Sequence, residues 1–158
     1  MFCFSLKTVR QRIWMIVVGL VLIFAVATIV NGASKNISVV AQDFLSGSTA
    51  SDRIAFLQSF GWDVKEDPVS VADVVIPSVF GDVYENYNSI QIAQGFDLME
   101  YAGRTVKKWV YAVENYPGYA QSEIYIRATV LVCNGRIIGG DICSVELDGF
   151  MHGFAYES

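Results

Sequence analysis

Residues 123–145 read EIYIRATVLVCNGRIIGGDICSV, and this stretch decides the fold. Its first half alternates between an apolar and a polar set, which is typical of an antiparallel strand with one face buried. Asn134-Gly135 is the strongest two-residue signal for a β-hairpin, so residues 136–145 should return beside the first strand. The apolar set is Ile124, Ile126, Ala128, Val130 and Val132.

The return strand raises a question of register at Asp141. A hairpin paired without interruption aims this carboxylate at the core, where an unpaired charge is costly. Gly139-Gly140 suggests a β-bulge, whose extra residue would send Asp141 outward and bring Ile142 inward. Two alternatives stay open: a bulge at the glycines, or an Asp141 that is buried and hydrogen-bonded.

Two helical segments precede this hairpin. The first is predicted over residues 51–60 with Ser51 as its cap, and Gly61 suits the position after its end. The second is predicted over residues 79–94, capped by Ser78, and strands are predicted over 69–76 and 105–115. The predicted class is α+β, with two helices packed on one face of a mainly antiparallel sheet. The apolar stripe assigned to the second helix is Phe80, Val83, Tyr84, Tyr87 and Ile90.

Residues 13–30 form an apolar run, IWMIVVGLVLIFAVATIV, without charge or proline. As a helix this run would span roughly 27 Å, close to the thickness of the bilayer's hydrocarbon core. Basic residues at positions 7, 10 and 12 place the N-terminus in the cytoplasm. A signal peptide cleaved after Ala25-Val26-Ala27 is the alternative, but the run is longer than a usual signal core.

The predicted organisation therefore has four parts: a cytoplasmic tail (1–12), a transmembrane helix (13–30), a linker (31–48) and an extracytoplasmic α+β domain (49–158). After residue 30 the chain holds eight Lys or Arg and sixteen Asp or Glu, a net charge of −8. Such an acidic exterior disfavours nucleic acid and anionic lipid headgroups as partners. Cationic peptides, metal ions and neutral ligands remain compatible with it.

Four stretches carry a family resemblance: RIAFLQSFGWDV (53–64), VYENYN (83–88), QGFDL (94–98) and IGGDICSVELDGFMHGF (138–154). Together they resemble the domain of unknown function 4830, a family of small proteins from Gram-positive bacteria. The resemblance implies an N-terminal membrane anchor and an extracytoplasmic location. It implies no activity and no catalytic residues.

The segment from Asp141 to His152 groups most of the residues that could carry chemistry. Cys143 and His152 could form a nucleophile and base pair with Asp148 orienting the imidazole, although no catalytic signature surrounds the cysteine. Asp141, Glu146, Asp148 and His152 are suitable metal ligands, but their spacing matches neither a zinc pattern nor a calcium loop. We therefore interpret Cys143 as a buried small side chain and His152 as a packing residue. No catalytic residue, metal or cofactor is predicted.

Tyr116 and Tyr119 flank an exposed Pro-Gly turn and are the better candidates for contact with a partner. With Asp141, Asp148 and His152 they make up the predicted ligand-binding set. The predicted function is a non-catalytic binding or regulatory module at the cell membrane, with a protein or peptide partner. The alternatives are a small metal- or cysteine-dependent enzyme that uses the Asp141–His152 segment, and an accessory subunit of a membrane complex. An enzyme should gather Asp141, Asp148 and His152 around one cleft, whereas a binding module should expose an aromatic patch.

Overall fold

The computed structural model describes residues 44–156. The predicted tail (1–12), the predicted membrane helix (13–30) and residues 31–43 of the predicted linker lie outside this range. Over residues 44–156, no helix combines the length and hydropathy that a bilayer crossing needs. A compact unit begins at Phe44. Residues 44–48, assigned to the linker from sequence, belong to this unit: Gly47 N–H donates to the Gly135 carbonyl at 2.9 Å.

An antiparallel sheet of five strands, in which each strand pairs with the next in the chain, organises residues 44–156. The combination of this sheet with separate helices confirms the α+β class. The strands are β1 (Ser70–Val75), β2 (Thr105–Ala112), β3 (Ile126–Cys133), β4 (Arg136–Ser144) and β5 (Met151–His152). The helices are α1 (Ala50–Ser59), α2 (Asp82–Ala93), a 3-10 turn (Leu98–Tyr101) and the single turn α3 (Ser122–Tyr125).

Helix α1 starts one residue before its predicted position because Thr49, rather than Ser51, is its cap. The Thr49 hydroxyl accepts from Asp52 N–H at 3.1 Å, and the Asp52 carboxylate accepts from Thr49 N–H at 3.2 Å. This reciprocal pair satisfies two N–H groups that the first helical turn leaves without partners. Gly61 follows the helix with a φ of 90°, as its predicted left-handed position requires.

The β3–β4 hairpin turns at Asn134 and Gly135, whose φ angles of 49° and 78° are those of a type I′ turn. Beyond the turn the register shifts by one residue, because Ile138 is inserted between the pairs Val132–Ile137 and Leu131–Gly139. The bulge alternative is therefore confirmed. The shift brings Ile142 into the core and moves the Asp141 side chain to the other face of the sheet.

The prediction that the bulge sends Asp141 outward to solvent is wrong, since this residue is only 3% exposed. Helix α2 covers the face to which Asp141 has moved, and the Tyr87 hydroxyl of that helix donates to Asp141 Oδ2 at 2.9 Å. Both sequence alternatives thus hold together: the bulge exists, and Asp141 is a buried, hydrogen-bonded acid.

The bulge depends on Gly139 and Gly140, which adopt φ angles of 153° and 155°. A Cβ at Gly140 would collide with the Thr129 carbonyl oxygen of the neighbouring strand. A Cβ at Gly139 would lie 2.6 Å from Gln91 Oε1 on helix α2. Glycine is therefore required here both for the backbone conformation and for the close approach of its neighbours.

The prediction that both helices share one face of the sheet is wrong, because α1 and α2 pack on opposite faces. Successive residues of a strand point to opposite sides, and β3 is buried on both. The first face, under α1, includes Phe56, Leu57, Tyr111, Ile126, Ala128, Val130 and Ile142. The second face, under α2 and the 3-10 turn, includes Ile76, Phe80, Leu98, Val106, Leu131, Cys133 and Ile138.

The buried side of α2 also differs from its predicted apolar stripe. Val83 is 84% exposed, whereas Asn88 and Gln91 are buried. Gln91 Oε1 accepts from Gly140 N–H at 2.8 Å, and Asn88 Oδ1 accepts from Leu98 N–H at 2.8 Å. The helix turns this side to the sheet because its amide groups supply hydrogen bonds that the bulge and the 3-10 turn lack.

The segment before β3 forms the helical turn α3 rather than the first residues of the strand, so the predicted strand start at 123 is wrong. The Arg127 guanidinium donates to the carbonyl oxygens of Glu123, Ile124 and Ile126 at 2.9–3.0 Å. These bonds hold the chain in a turn, and Ile124, assigned to the apolar face from sequence, is 48% exposed.

Candidate functional site

Six aromatic rings from three segments of the chain, residues 62, 116–119 and 150–156, contact one another, and we call this group the aromatic surface. Tyr116 lies at its centre. Its ring stacks on Trp62 with centroids 5.4 Å apart and an interplanar angle of 4°, and on Phe150 at 4.9 Å and 24°. The members are Trp62, Tyr116, Tyr119, Phe150, His152 and Tyr156.

His152 holds the Tyr116 ring in place. Its Nδ1 lies 2.6 Å from the Gly153 carbonyl oxygen, and because a carbonyl only accepts, Nδ1 carries a proton. In the neutral imidazole Nε2 is then an acceptor, and the Tyr116 hydroxyl lies 3.0 Å from it. The imidazole also stacks on Phe150 at 5.5 Å and 18°. His152 is thus a packing residue, as predicted, with its ring against Phe150 and Tyr116.

Tyr119 is tied to the loop after β4. Its hydroxyl donates to Glu146 Oε2 at 3.0 Å, and Ser144 Oγ donates to the same oxygen at 3.2 Å. Asp148, which was assigned to the binding set from sequence, occupies the exposed turn of this loop with a φ of 60°. Asp148 makes no described hydrogen bond to the other four residues of the predicted set.

The aromatic surface is buried at its base and open at its edge. Trp62 is 3% exposed, and its indole N–H donates to the Phe154 carbonyl oxygen at 2.6 Å. Tyr116 and Tyr119 are half-buried, and Tyr156 is exposed. Burial of the Tyr116 hydroxyl, together with the neighbouring Tyr156 and Tyr119, raises its pKa above the usual value. At the pH of a cell this phenol is therefore neutral, and its proton is donated to His152 Nε2.

Asp141 lies apart from the aromatic surface, on the second face of the sheet. Its Oδ2 accepts the bond from Tyr87, while Oδ1 has no hydrogen-bond partner in the part of the chain that the structure describes. Burial raises the pKa of this carboxyl group, and interactions with Tyr87, Cys143 and Thr129 offset part of that rise. Burial and the Asp141 charge also raise the pKa of Tyr87.

Cys143 and His152 do not form a catalytic pair. Ile142 is paired with His152, and Cys143 with Met151, so strand alternation puts the thiol and the imidazole on opposite faces. Burial, with the adjacent Asp141 carboxylate, raises the pKa of the Cys143 thiol to about 12, which keeps it protonated. Between residues 44 and 156, no group of three His, Cys, Asp or Glu side chains is arranged to hold a metal ion.

The structure thus brings together three of the five predicted site residues, Tyr116, Tyr119 and His152. Asp141 lies on the other face of the sheet, and Asp148 lies in the neighbouring loop without a described hydrogen bond to them. Sequence reasoning missed Trp62, which is distant in sequence from the other members. It also missed Phe150 and Tyr156, although the C-terminal run FMHGFAY carries an aromatic ring at every second position. That alternation was the available signal.

A sequence model described as Domain of unknown function (DUF4830) matches residues 56–142, more than half of the chain. The chain belongs to this family. The resemblance stated from the four sequence stretches is thereby confirmed. The matched segment of the DUF4830 domain includes Trp62, Tyr116 and Tyr119, while Phe150, His152 and Tyr156 lie beyond it. No curated protein and no solved structure matches the chain.

Proposed function

We propose that this DUF4830 protein is a non-catalytic binding module that takes a basic segment of a protein or peptide partner on its aromatic surface. The stacking of Tyr116 between Trp62 and Phe150 is the observation that carries this proposal. Rings held in place before binding lose little conformational entropy when a partner arrives. Tyrosine and tryptophan also combine a large apolar area with a hydrogen-bonding group, which suits them to binding surfaces.

Charge favours a basic partner. Asp63 and Glu114 adjoin the aromatic surface along the chain on one side, and Glu146 and Asp148 adjoin it on the other. A Lys or Arg side chain placed over exposed tyrosine rings gains a cation–π attraction, and nearby carboxylates add to it. Exposed apolar groups continue the surface beyond Tyr119, since Leu147 is 94% and Val145 57% exposed. These groups suit the apolar side chains of the same partner.

The module is proposed to act outside the cell, anchored through residues 13–30 with the N-terminus in the cytoplasm. The support is the uncharged apolar run and the basic residues that precede it. Alkaline phosphatase folds only where disulfides form, so its fusion after residue 43 should be active in intact cells. An inactive fusion, together with an active cytoplasmic reporter at the same point, would refute this topology.

The binding proposal is tested by photo-crosslinking in intact cells. A photoreactive phenylalanine at Tyr156, at the open edge of the aromatic surface, should crosslink to a discrete partner. The matched control is the same amino acid at Val83, which is exposed on helix α2. Tyr119→Leu should reduce the crosslink at least fivefold, whereas Tyr101→Leu, on the other side of the sheet, should leave it unchanged. Equal crosslinking from Tyr156 and Val83 would refute the aromatic surface as the binding site.

The predicted chemistry of the partner is tested with the purified full-length chain in detergent. A Lys- and Leu-containing hexapeptide amide should shift the indole N–H resonance of Trp62, and a Glu-for-Lys version of the peptide should not. Tyr119→Leu should weaken this binding about tenfold. If the two peptides bind equally, the preference for a basic partner is wrong even if the site itself is right.

A further inference from the structure

Arg53 is a buried cation on helix α1, only 3% exposed, beneath a cleft that is separate from the aromatic surface. Its Nε donates to the Tyr111 hydroxyl at 2.8 Å. Its Nη1 donates to the carbonyl oxygens of Gly47 at 2.7 Å and Ser48 at 3.3 Å. One side of the guanidinium lies on the Trp109 ring, with Cζ 3.5 Å from the ring centroid.

Every one of these acceptors is neutral. Among residues 44–156 the only ion pair joins Lys107 to Asp73 at 2.9 Å, so Arg53 has no carboxylate within ion-pair distance. The adjacent Asp52 carboxylate is engaged instead by the Ser46 hydroxyl and the Thr49 N–H. A buried charge is costly unless an opposite charge accompanies it. Arg53 therefore leaves one positive charge without a paired anion beneath the cleft.

The cleft has a volume of about 390 Å³, which is within the range of small-molecule sites. Arg53 is at its base, and Nη2 of this residue donates to no described group. Trp109 and Val132 supply an apolar wall, and the Lys107–Asp73 pair is at the rim. The cleft thus offers one strong anion-binding group beside an apolar surface.

We propose that this cleft binds a monocarboxylate, one oxygen of which accepts from Arg53 Nη2 while its apolar body lies against Trp109 and Val132. A hydrogen bond from a charged guanidinium N–H to a carboxylate oxygen is stronger than a bond between neutral groups. A single negative charge suits the site better than a phosphate dianion, because Asp73 lies at the rim and the chain after residue 30 carries a net charge of −8. Two sources share this chemistry: a free organic acid and the C-terminal carboxylate of a peptide.

The test uses the purified full-length chain and follows the indole N–H resonance of Trp109 by NMR. N-acetylvaline should shift this resonance saturably, with a Kd in the millimolar range, and N-acetylvalinamide should not. Arg53→Lys, which keeps the charge but removes the Nη2 donor, should weaken binding at least tenfold. Equal effects of the acid and the amide, or unchanged binding in a folded Arg53→Lys variant, would refute the proposal.

The rim provides a second test that does not depend on how the buried Arg53 tolerates substitution. Asp73→Asn should tighten N-acetylvaline binding about threefold, and Lys107→Gln should weaken it by a similar factor, because both side chains are partly exposed at the cleft. The matched controls are Asp67→Asn and Lys65→Gln, exposed and outside the cleft, which should leave binding unchanged. If Asp73→Asn and Lys107→Gln act no differently from these controls, the carboxylate does not bind in this cleft.

The two sources are separated by chain length. The peptide acetyl-Gly-Gly-Val with a free C-terminus should bind at least tenfold more tightly than N-acetylvaline if the cleft reads peptide ends. Equal binding of the two would assign the cleft to small organic acids. An amidated peptide that binds as tightly as the free acid would refute the carboxylate itself.

Discussion

Helix α1 buries Phe56 and Leu57 against one face of the sheet, whereas α2 buries Asn88 and Gln91 against the other. The first interface is made mainly by apolar contact, with Phe56 packed edge-to-face on Phe154 at 4.9 Å. The second is made largely by amide groups that hydrogen-bond to backbone. The two helices therefore cover the two faces of the sheet by different kinds of contact.

This difference between the two helix–sheet interfaces follows from the bulge in β4. Gly140 stays paired with Val130 of β3, but its N–H and C=O are taken by Gln91 Oε1 at 2.8 Å and Gln94 Nε2 at 2.8 Å. Gln94 Oε1 in turn accepts from Phe154 N–H at 2.7 Å. Apolar contact tolerates some rearrangement, while each of these bonds fixes one atom against another. The second face should therefore be more sensitive to small polar changes than the first.

The largest effect is expected from Gly140→Ala. The added methyl group meets the Thr129 carbonyl oxygen, and the backbone φ of 155° is unfavourable for alanine. Unfolding in urea should show a loss of about 3 kcal/mol or more. The control is Gly81→Ala, where a methyl group meets nothing within 4 Å. A Gly140→Ala protein as stable as this control would mean that the bulge is not held as described.

Leu57→Ala should come next, with a loss of about 3 kcal/mol in the free energy of unfolding, because it opens a cavity under α1. Val83→Ala on α2 is the matched change, and it should cost less than about 0.5 kcal/mol since Val83 is 84% exposed. The same denaturation measurement decides both. A comparable loss at Val83 would restore the apolar stripe that the sequence predicted for α2.

Gln91→Met should cost about 1–3 kcal/mol although it keeps the length of the side chain. The substitution leaves the Gly140 N–H buried without an acceptor. Gln58→Met on α1 is the control, because Gln58 is exposed and makes no described side-chain bond. Amide exchange at Gly140 should accelerate in Gln91→Met alone. If the two variants are equally stable, the amide bonds do not hold the second face.

The smallest effect on the free energy of unfolding should come from Asp141, and it should depend on pH. Burial raises its pKa in the folded state, so wild-type stability is lost as the pH rises from about 4 through that folded-state pKa. Asp141→Asn removes this loss and keeps an acceptor for Tyr87, so its advantage over wild type should grow with pH. Urea unfolding of both proteins between pH 4 and 8 measures this difference.

Asp52 supplies a control of opposite sign. Bonds from Ser46 and Thr49 lower the pKa of its carboxyl group, so its contribution to stability is present at neutral pH and is lost as the pH falls. Asp52→Asn should therefore be most harmful at neutral pH and least harmful in acid. The same sign of slope for Asp52→Asn and Asp141→Asn would contradict the assignment of Asp141 as the buried acid.

The hairpin was predictable because its signals are local. Asn134-Gly135 predicts the turn, and Gly139-Gly140 suggests the bulge, so adjacent residues narrowed the register to two alternatives, of which the structure has the bulge. The position of α2 was not predictable in this way. Its side-chain pattern allowed Val83 in the core, and only the backbone of β4, about 50 residues further on, selects Asn88 and Gln91 instead.

The residues of the candidate site also divide into those that the sequence predicted and those that only the structure revealed. Tyr116, Tyr119 and His152 were identified from residue type and from their places beside turns, but their association depends on Trp62 and Phe150 stacking on either side of Tyr116. Arg53 gave no signal at all, since a lone arginine on a predicted helix is normally solvated. Its importance appears only when Tyr111, Trp109 and Gly47 surround it.

The sequence by itself determined the α+β class, the Asn134-Gly135 hairpin and the family, and it narrowed the register to two alternatives, because each rests on residues close in the chain or on a pattern spread along it. Only the tertiary structure decided that α1 and α2 take opposite faces, that Asp141 is buried on leaving the first face, and that Cys143 is separated from His152 by the sheet. The physical reason is that burial and charge pairing depend on which surfaces meet across the sheet. Local spacing fixes which side of a strand a residue occupies, but not what covers that side.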